Sequence, residues 1–185
     1  MLLFLQGLLL ILLLCVSLAM LFVYSAVLIG FFTTHAPFVP IPRPVIAQIV
    51  RNLQLANGSV LYDLGCGDGR VLKTAADTHA GIRAIGVEKA IIPYLLAKFK
   101  TRKYGNIQIR REDFFQTDLS DATHIYMYLF PKPTTQLLRK IKTECRPGTR
   151  VVSCDFRSEA DTPVETVHLG RTKHVLGREL FVYQT

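Results

Sequence analysis

The stretch that decides the fold is Val60–Arg70, which reads VLYDLGCGDGR. Its first five residues have the apolar character of a buried strand, interrupted by Asp63. Three alternating glycines follow, and the apolar spacing from Val71 to His79 then predicts a helix. Glycines at a strand-to-helix turn permit positive φ angles and leave room for a ligand to touch the backbone. The stretch therefore predicts a ligand-binding turn at the edge of a sheet.

The residues after this turn alternate between apolar runs and helical patterns. Strands are predicted at residues 59–64, 83–88, 107–111, 124–129 and 150–156, with helices at residues 71–79, 91–103 and 133–143. Such an alternation predicts an α/β fold with a parallel sheet covered on both faces. Residues 164–169 and 175–183 are separated only by a short turn around Gly170, so they predict a terminal antiparallel hairpin.

The first 34 residues differ in character from the rest of the chain. Residues 2–32 are almost wholly apolar, and no Asp, Glu, Lys or Arg occurs before Arg43. A helix of about 20 such residues crosses a bilayer, whereas a cleaved signal would need a basic start, a shorter apolar core and a small-residue cleavage site. We therefore predict a transmembrane anchor at residues 1–34. Because Arg43 and Arg51 follow closely, the catalytic part is expected on the cytoplasmic side or its topological equivalent.

Two further segments complete the predicted organisation. Residues 35–58 begin with four prolines between His35 and Pro44, which favour a stiff extended strap, and continue with an amphipathic helix over Val45–Leu53. Residues 59–185 form the main domain, in which half-hydrophobic composition excludes disorder. No disulfide framework or metal site is predicted, because the cysteines lack ligand spacing: Cys15, Cys66, Cys145 and Cys154.

The glycine turn is accompanied by carboxylates. Its spacing is G-x-G-x-G, with Asp63 before it and Asp68 within it, whereas a dinucleotide site favours G-x-G-x-x-G. Two carboxylates would repel a pyrophosphate, but they would attract a ligand that carries an ammonium and a sulfonium. The turn therefore favours a cationic nucleoside.

Further acidic residues end the next two strands. Glu88 ends the second strand, where a carboxylate can accept both ribose hydroxyls. The third strand is followed by Glu112 and Asp113, which can accept from the adenine amino group, and by Phe114, which can lie on the adenine face. Because the carboxyl ends of parallel strands meet at one edge, these groups predict a single crevice.

These residues resemble the first two motifs, and the acid between them, of the class I S-adenosylmethionine-dependent methyltransferases. The Pro37–Pro42 strap, residues 63–70, residues 128–131 and residues 148–153 are similar to those of the mitochondrial protein-lysine methyltransferases of the adenine nucleotide translocase and the membrane ring of ATP synthase, and of their prokaryotic relatives. The resemblance implies a Rossmann-like sheet of seven strands. It also implies S-adenosylmethionine as cofactor, bound by Asp63, Gly65, Cys66, Gly67, Asp68, Gly69, Glu88, Asp113 and Phe114.

Aromatic residues near the end of the fourth strand are candidates for the acceptor site. We predict that Tyr128 and Phe130 contact the acceptor, and that Phe38 and Tyr126 line the pocket. Ordinary packing is the alternative for each of them. Asp155 ends the fifth strand, where it could orient or deprotonate an acceptor, or serve as a solvated acid or a partner for Arg157.

The predicted activity is protein-lysine methylation of a membrane protein. A lipid, a quinone or another small membrane-associated acceptor is one alternative, and a non-catalytic membrane module that binds S-adenosylmethionine is another. Methylation of nucleic-acid bases is not expected, because residues 128–131 lack the Asn or Asp that would hold a base amine.

A cluster of basic residues follows the second predicted helix of the main domain. Its members are Lys98, Lys100, Arg102, Lys103, Arg110 and Arg111. Cations complement the dipole of a solvated helix C-terminus, and the same cations would favour adhesion to anionic lipid. RNA binding is a third interpretation, although no aromatic stacking platform accompanies the charges.

Overall fold

The computed structural model describes residues 2–33, 41–169 and 177–185. The chain divides into two compact units, residues 1–37 and residues 38–185. In the first unit, helix α1 (Leu2–Thr33) contains the segment Phe4–Ser25, which is long and apolar enough to cross a membrane. Length and composition alone support this possibility.

The second unit consists of a mixed sheet of seven strands with four helices among its described residues. In chain order the elements are α2 (Arg43–Leu53), β1 (Val60–Leu64), α3 (Arg70–Thr78), β2 (Arg83–Val87), α4 (Ile91–Thr101), β3 (Ile107–Arg110), β4 (His124–Met127), α5 (Pro131–Glu144), β5 (Arg150–Cys154), β6 (Glu165–His168) and β7 (Glu179–Gln184). The strand order is β3-β2-β1-β4-β5-β7-β6, which confirms the predicted fold class.

The pairing of the strands agrees with the expected mixture. Strands β1 to β5 are parallel to their neighbours, while β7 runs antiparallel to both β5 and β6. The antiparallel hairpin is therefore confirmed, and the turn expected around Gly170 lies outside the described residues.

A buried apolar cluster covers one face of the sheet. Helix α2 contributes Val45, Ile49 and Leu53, which are completely buried, and they belong to the same cluster as Leu72 of α3 and Val152 of β5. The amphipathic helix expected after the strap is thus present as α2, with its apolar stripe in the core.

The strand order places the candidate site. The chain passes from β1 outward through β2 to β3 and then returns to β4 on the other side of β1. A crevice forms at such a reversal outside the carboxyl ends of the strands. The glycine turn between β1 and α3 lies at this edge.

Candidate functional site

Backbone hydrogen bonds hold the glycine turn against the end of β2. The amides of Gly65 and Cys66 both donate to the Val87 carbonyl, at 2.8 and 3.0 Å. Gly65 has φ 83° and Gly69 has φ 76°, which are left-handed conformations that favour glycine. The sequence therefore folds into a tight turn whose backbone an external ligand can approach.

Glu88 fastens this turn to the start of α4. Its Oε2 accepts from the Gly67 amide at 3.0 Å, and its Oε1 accepts from the Ala90 amide at 2.8 Å. The side chain is buried, and this burial raises the pKa of Glu88 although the backbone amides oppose the rise. Each carboxylate oxygen can accept more than one hydrogen bond, so ribose hydroxyls remain a possible second set of donors.

Asp63 is the least compensated charge of the site. It is only 2% exposed, and no hydrogen bond joins its carboxylate to any residue in the described part of the chain. Burial, followed by the charges of Glu88 and Asp68, raises the pKa of Asp63 well above its usual range. A buried carboxylate without a partner is costly unless a cation meets it. This orphaned acid fits the ammonium and sulfonium charges of S-adenosylmethionine.

Asp68 differs from Asp63 because its charge is compensated within the protein. Its two oxygens accept from Nε and Nη2 of Arg70 at 2.8 and 2.7 Å, and Oδ2 also accepts from Nζ of Lys100 at 2.5 Å. Burial alone would raise the pKa of Asp68, but these cations lower it to about 2. The expectation that this carboxylate faces a cationic cofactor thus receives no support from its contacts, which give it a structural role.

The end of β3 carries the predicted adenine-binding residues. Asp113 accepts from Nζ of Lys89 at 3.0 Å and from the Phe115 amide at 3.0 Å. Phe114 is buried and makes an edge contact with Phe115, with ring centroids 4.8 Å apart. The roles of Asp113 and Phe114 toward adenine stay predictions.

Three aromatic rings meet beyond the ends of β4 and β5. Tyr128 stacks on Phe156 with centroids 5.6 Å apart, and Phe130 meets Phe156 edge-on at 5.3 Å. We call these three residues the aromatic triad. Phe130 is 45% exposed, so part of the triad is open to solvent. Phe156 is absent from the sequence-based site, although its place just after a parallel strand is shared by the other candidates.

Two predicted acceptor residues have structural surroundings instead. Tyr126 is 2% exposed and belongs to the core cluster, which argues against contact with an acceptor. Asp155 accepts from the amides of Gly177 and Arg178, both at 2.6 Å, and of Glu179 at 3.3 Å. It therefore holds the start of β7, which argues against a role as base.

The remaining site predictions concern Phe38 and metal binding. Phe38 lies outside the described residues. In the described part of the chain, no group of three or more His, Cys, Asp or Glu side chains could hold a metal ion.

Comparison with known proteins places the chain in a family. The family described as the ANTKMT methyltransferase domain matches residues 63–165. A protein-lysine N-methyltransferase of Saccharolobus islandicus is 33% identical over 150 residues, which cover 78% of this chain and 93% of that protein. The Homo sapiens lysine N-methyltransferase that is named for the C-subunit of ATP synthase is 30% identical over 132 residues, covering 69% of this chain. The match spans only 54% of the length of that human relative.

A solved structure gives the same result for the fold and the cofactor. It is described as an RNA methyltransferase from Salinibacter ruber in complex with S-adenosyl-L-homocysteine. The two chains superpose with a TM-score of 0.71 at 33% identity, covering 79% of this chain and 93% of the other. The orphaned Asp63 and the glycine turn agree with this cofactor class. The chain therefore belongs to the ANTKMT methyltransferase family and is an S-adenosylmethionine-dependent methyltransferase.

Proposed function

We propose that this enzyme methylates the ε-amine of a lysine in a membrane protein. The observation that carries the proposal is the aromatic triad beside the acid-lined glycine turn. Aromatic faces attract ammonium groups, including methylated ones. The names of the relatives from Saccharolobus islandicus and Homo sapiens support a lysine acceptor.

The chemistry requires little from the protein beyond orientation and desolvation. S-adenosylmethionine supplies an activated methyl group, whose C–S bond breaks with its electron pair going to sulfur while the amine nitrogen forms the new C–N bond. The acceptor amine must first lose a proton, against a reference pKa of about 10.4. Apolar rings such as Phe130 and Phe156 would disfavour the charged amine and so lower this pKa. The residues thus act by positioning and by excluding water.

Tyr128 is proposed to position the acceptor through its ring. Burial, followed by the nearby Asp155 carboxylate, raises the pKa of the Tyr128 phenol, so it stays protonated and hydrogen-bonds to Asp155. We expect Tyr128→Ala to lower kcat/KM about 100-fold, because misplacement of the acceptor has an effect of that size. Tyr128→Phe, which keeps the ring, should retain most of the activity. Equal S-adenosylmethionine affinity in both variants, measured by calorimetry, is the control, and full activity of Tyr128→Ala would contradict this role.

We also propose that residues 1–34 anchor the enzyme in a membrane as a single span. Residues 35–58 would then connect the anchor to the methyltransferase domain of residues 59–185, on the cytoplasmic or equivalent side. The apolar segment Phe4–Ser25 supports the anchor, and Arg43 and Arg51 support the orientation. A tether of this kind raises the effective concentration of acceptors in the same membrane.

The acceptor can be identified by label transfer. Membranes from cells without this chain are incubated with the full chain and radiolabelled S-adenosylmethionine, and are then separated into protein and organic phases. We expect label in protein, on lysine by mass spectrometry, and little label with the Asp63→Asn variant. A chain lacking residues 1–34 should bind the cofactor normally but label membranes more slowly. Label confined to the organic phase would instead indicate a lipid or quinone acceptor, and cofactor binding without any label would indicate a binding module.

RNA methylation is the second candidate. The description of the Salinibacter ruber relative favours it, since the TM-score is 0.71 and the identity is 33%. The segment Tyr128–Pro131 lacks the amide or acid that would hold a base amine, so we expect no label in total RNA under the same conditions. Transfer to RNA, with none to protein, would overturn the lysine proposal.

A further inference from the structure

Helix α4 exposes an apolar surface that nothing in the described part of the chain covers. Five large side chains are open to solvent, and we call them the α4 apolar face: Ile91 at 45%, Ile92 at 54%, Leu95 at 55%, Leu96 at 42% and Phe99 at 64%. Isolated apolar residues are common on protein surfaces, whereas a contiguous patch indicates an interaction surface.

The face is a continuous stripe on the helix. At 3.6 residues per turn, its five members lie within an arc of about 140°. Ala97 and Thr101, which are buried, point in the opposite direction, toward the domain. Lys98 and Lys100 lie on the two borders of the stripe, where long cationic side chains can extend to an aqueous boundary. This is the pattern of a helix that lies in a membrane interface.

The charge around the stripe has one sign only. Residues 89–111 contain seven Lys and Arg residues and no Asp or Glu. The Arg102 guanidinium lies over the Phe99 ring at 3.9 Å, which joins a cation to the apolar face itself. Lys100 is paired with Asp68, while Lys98 lies over the Tyr94 ring at 5.7 Å. The surface is therefore complementary to an anionic surface, and two copies meeting at this face would bring like charges together.

We propose that the α4 apolar face docks onto an anionic lipid bilayer, with Leu95 and Phe99 below the headgroups and Lys98, Arg102 and Lys103 among the phosphates. Helix α4 begins just after β2, at the sheet edge that carries the glycine turn. Docking therefore holds the methyl-transfer edge beside the bilayer instead of leaving the domain free on a tether. This surface is distinct from α1, and the inference does not depend on which acceptor is methylated.

The sequence offers a direct probe of this contact, because the chain contains no tryptophan. Phe99→Trp introduces a single fluorophore at the centre of the stripe. The full-length variant is reconstituted into vesicles of phosphatidylcholine and phosphatidylglycerol with brominated acyl chains, which quench tryptophan on contact. The matched control is Val164→Trp, because Val164 is also apolar and exposed, at 65%, but precedes β6 at the opposite edge of the sheet. We expect strong quenching of the tryptophan at 99 and little at 164.

A charge variant tests the headgroup contact. Lys98→Gln, Arg102→Gln and Lys103→Gln together, in the Phe99→Trp background, should lower the ratio of docked to undocked domains about fivefold for each charge removed. Vesicles of phosphatidylcholine alone should give a similar loss of quenching. Normal S-adenosylmethionine binding shows that the variants are folded, and Leu95→Trp replaces Phe99→Trp if the latter fails this check.

Three results would overturn the proposal. The first is absence of quenching at both 99 and 95 in anionic vesicles. The second is equal quenching at 99 and 164. The third is shielding of the tryptophan at 99 that rises with protein concentration without bromine quenching, which would assign the face to a second copy of the chain.

Discussion

Asp63→Asn is expected to weaken S-adenosylmethionine binding about 100-fold or more at neutral pH, since removal of one partner from a buried ion pair costs about 3–5 kcal/mol. The amide keeps the shape of the side chain but cannot compensate the cationic ligand. Calorimetric titration measures the affinity. Asp77→Asn is a suitable control, because Asp77 is an exposed carboxylate on α3 paired with Lys73. Unchanged affinity in Asp63→Asn would refute the electrostatic account of the site.

The same carboxylate predicts how binding depends on pH. In the free enzyme the pKa of Asp63 is raised, whereas a bound cation favours the ionised form. Binding therefore releases a proton, and the affinity should rise with pH until the pH exceeds the raised pKa of the free enzyme. Titrations in buffers of different ionisation enthalpy measure this proton directly, and the Asp63→Asn variant should show no such release.

The raised pKa of Asp63 also has a consequence for the free protein. An acid whose pKa is higher in the folded state contributes stability below its unfolded pKa of about 3.9, and this contribution is lost as the pH rises through the folded pKa. At neutral pH the ionised, buried Asp63 is therefore destabilising. The free Asp63→Asn variant should unfold at a higher temperature than the parent, while gaining less from added cofactor.

Asp68→Ala is expected to destabilise the fold by about 3–5 kcal/mol, because it leaves Arg70 and Lys100 without their buried partner. Arg70 also donates to the Ile41 carbonyl at 2.9 Å, so the pair connects the glycine turn to the residues before α2. Urea unfolding measures the loss. Asp77→Ala is the matched control, since its pair with Lys73 is exposed and worth less than about 1 kcal/mol.

The contribution of Asp68 should vanish in acid. Its pKa is about 2 in the folded protein, compared with about 3.9 for an unperturbed aspartate. The stabilisation is thus fully present above pH of about 4 and is lost as the pH falls through about 2. The parent and Asp68→Ala should approach equal stability in strong acid. A difference that persists unchanged at low pH would show that packing, not charge, is responsible.

The order of strands and helices was readable from the sequence because it depends on local patterns. Apolar runs, glycines after β1 and the short link between β6 and β7 act over a few residues, so the predicted strand boundaries lie close to those observed. The acids at the ends of β1, β2 and β3 could also be placed, because parallel strands bring their carboxyl ends to one edge.

The partners of the site residues were decided only by the tertiary structure. Asp68 meets Lys100 across 32 positions of sequence, and Asp155 meets the amides of residues 177–179. Which carboxylate is compensated and which is orphaned depends on how α4 and β7 pack, and residue spacing carries no information about such contacts. The same reason separates buried Tyr126 from the open aromatic triad: both lie at the end of the β4 region, but the side of the sheet to which each side chain points decides its role.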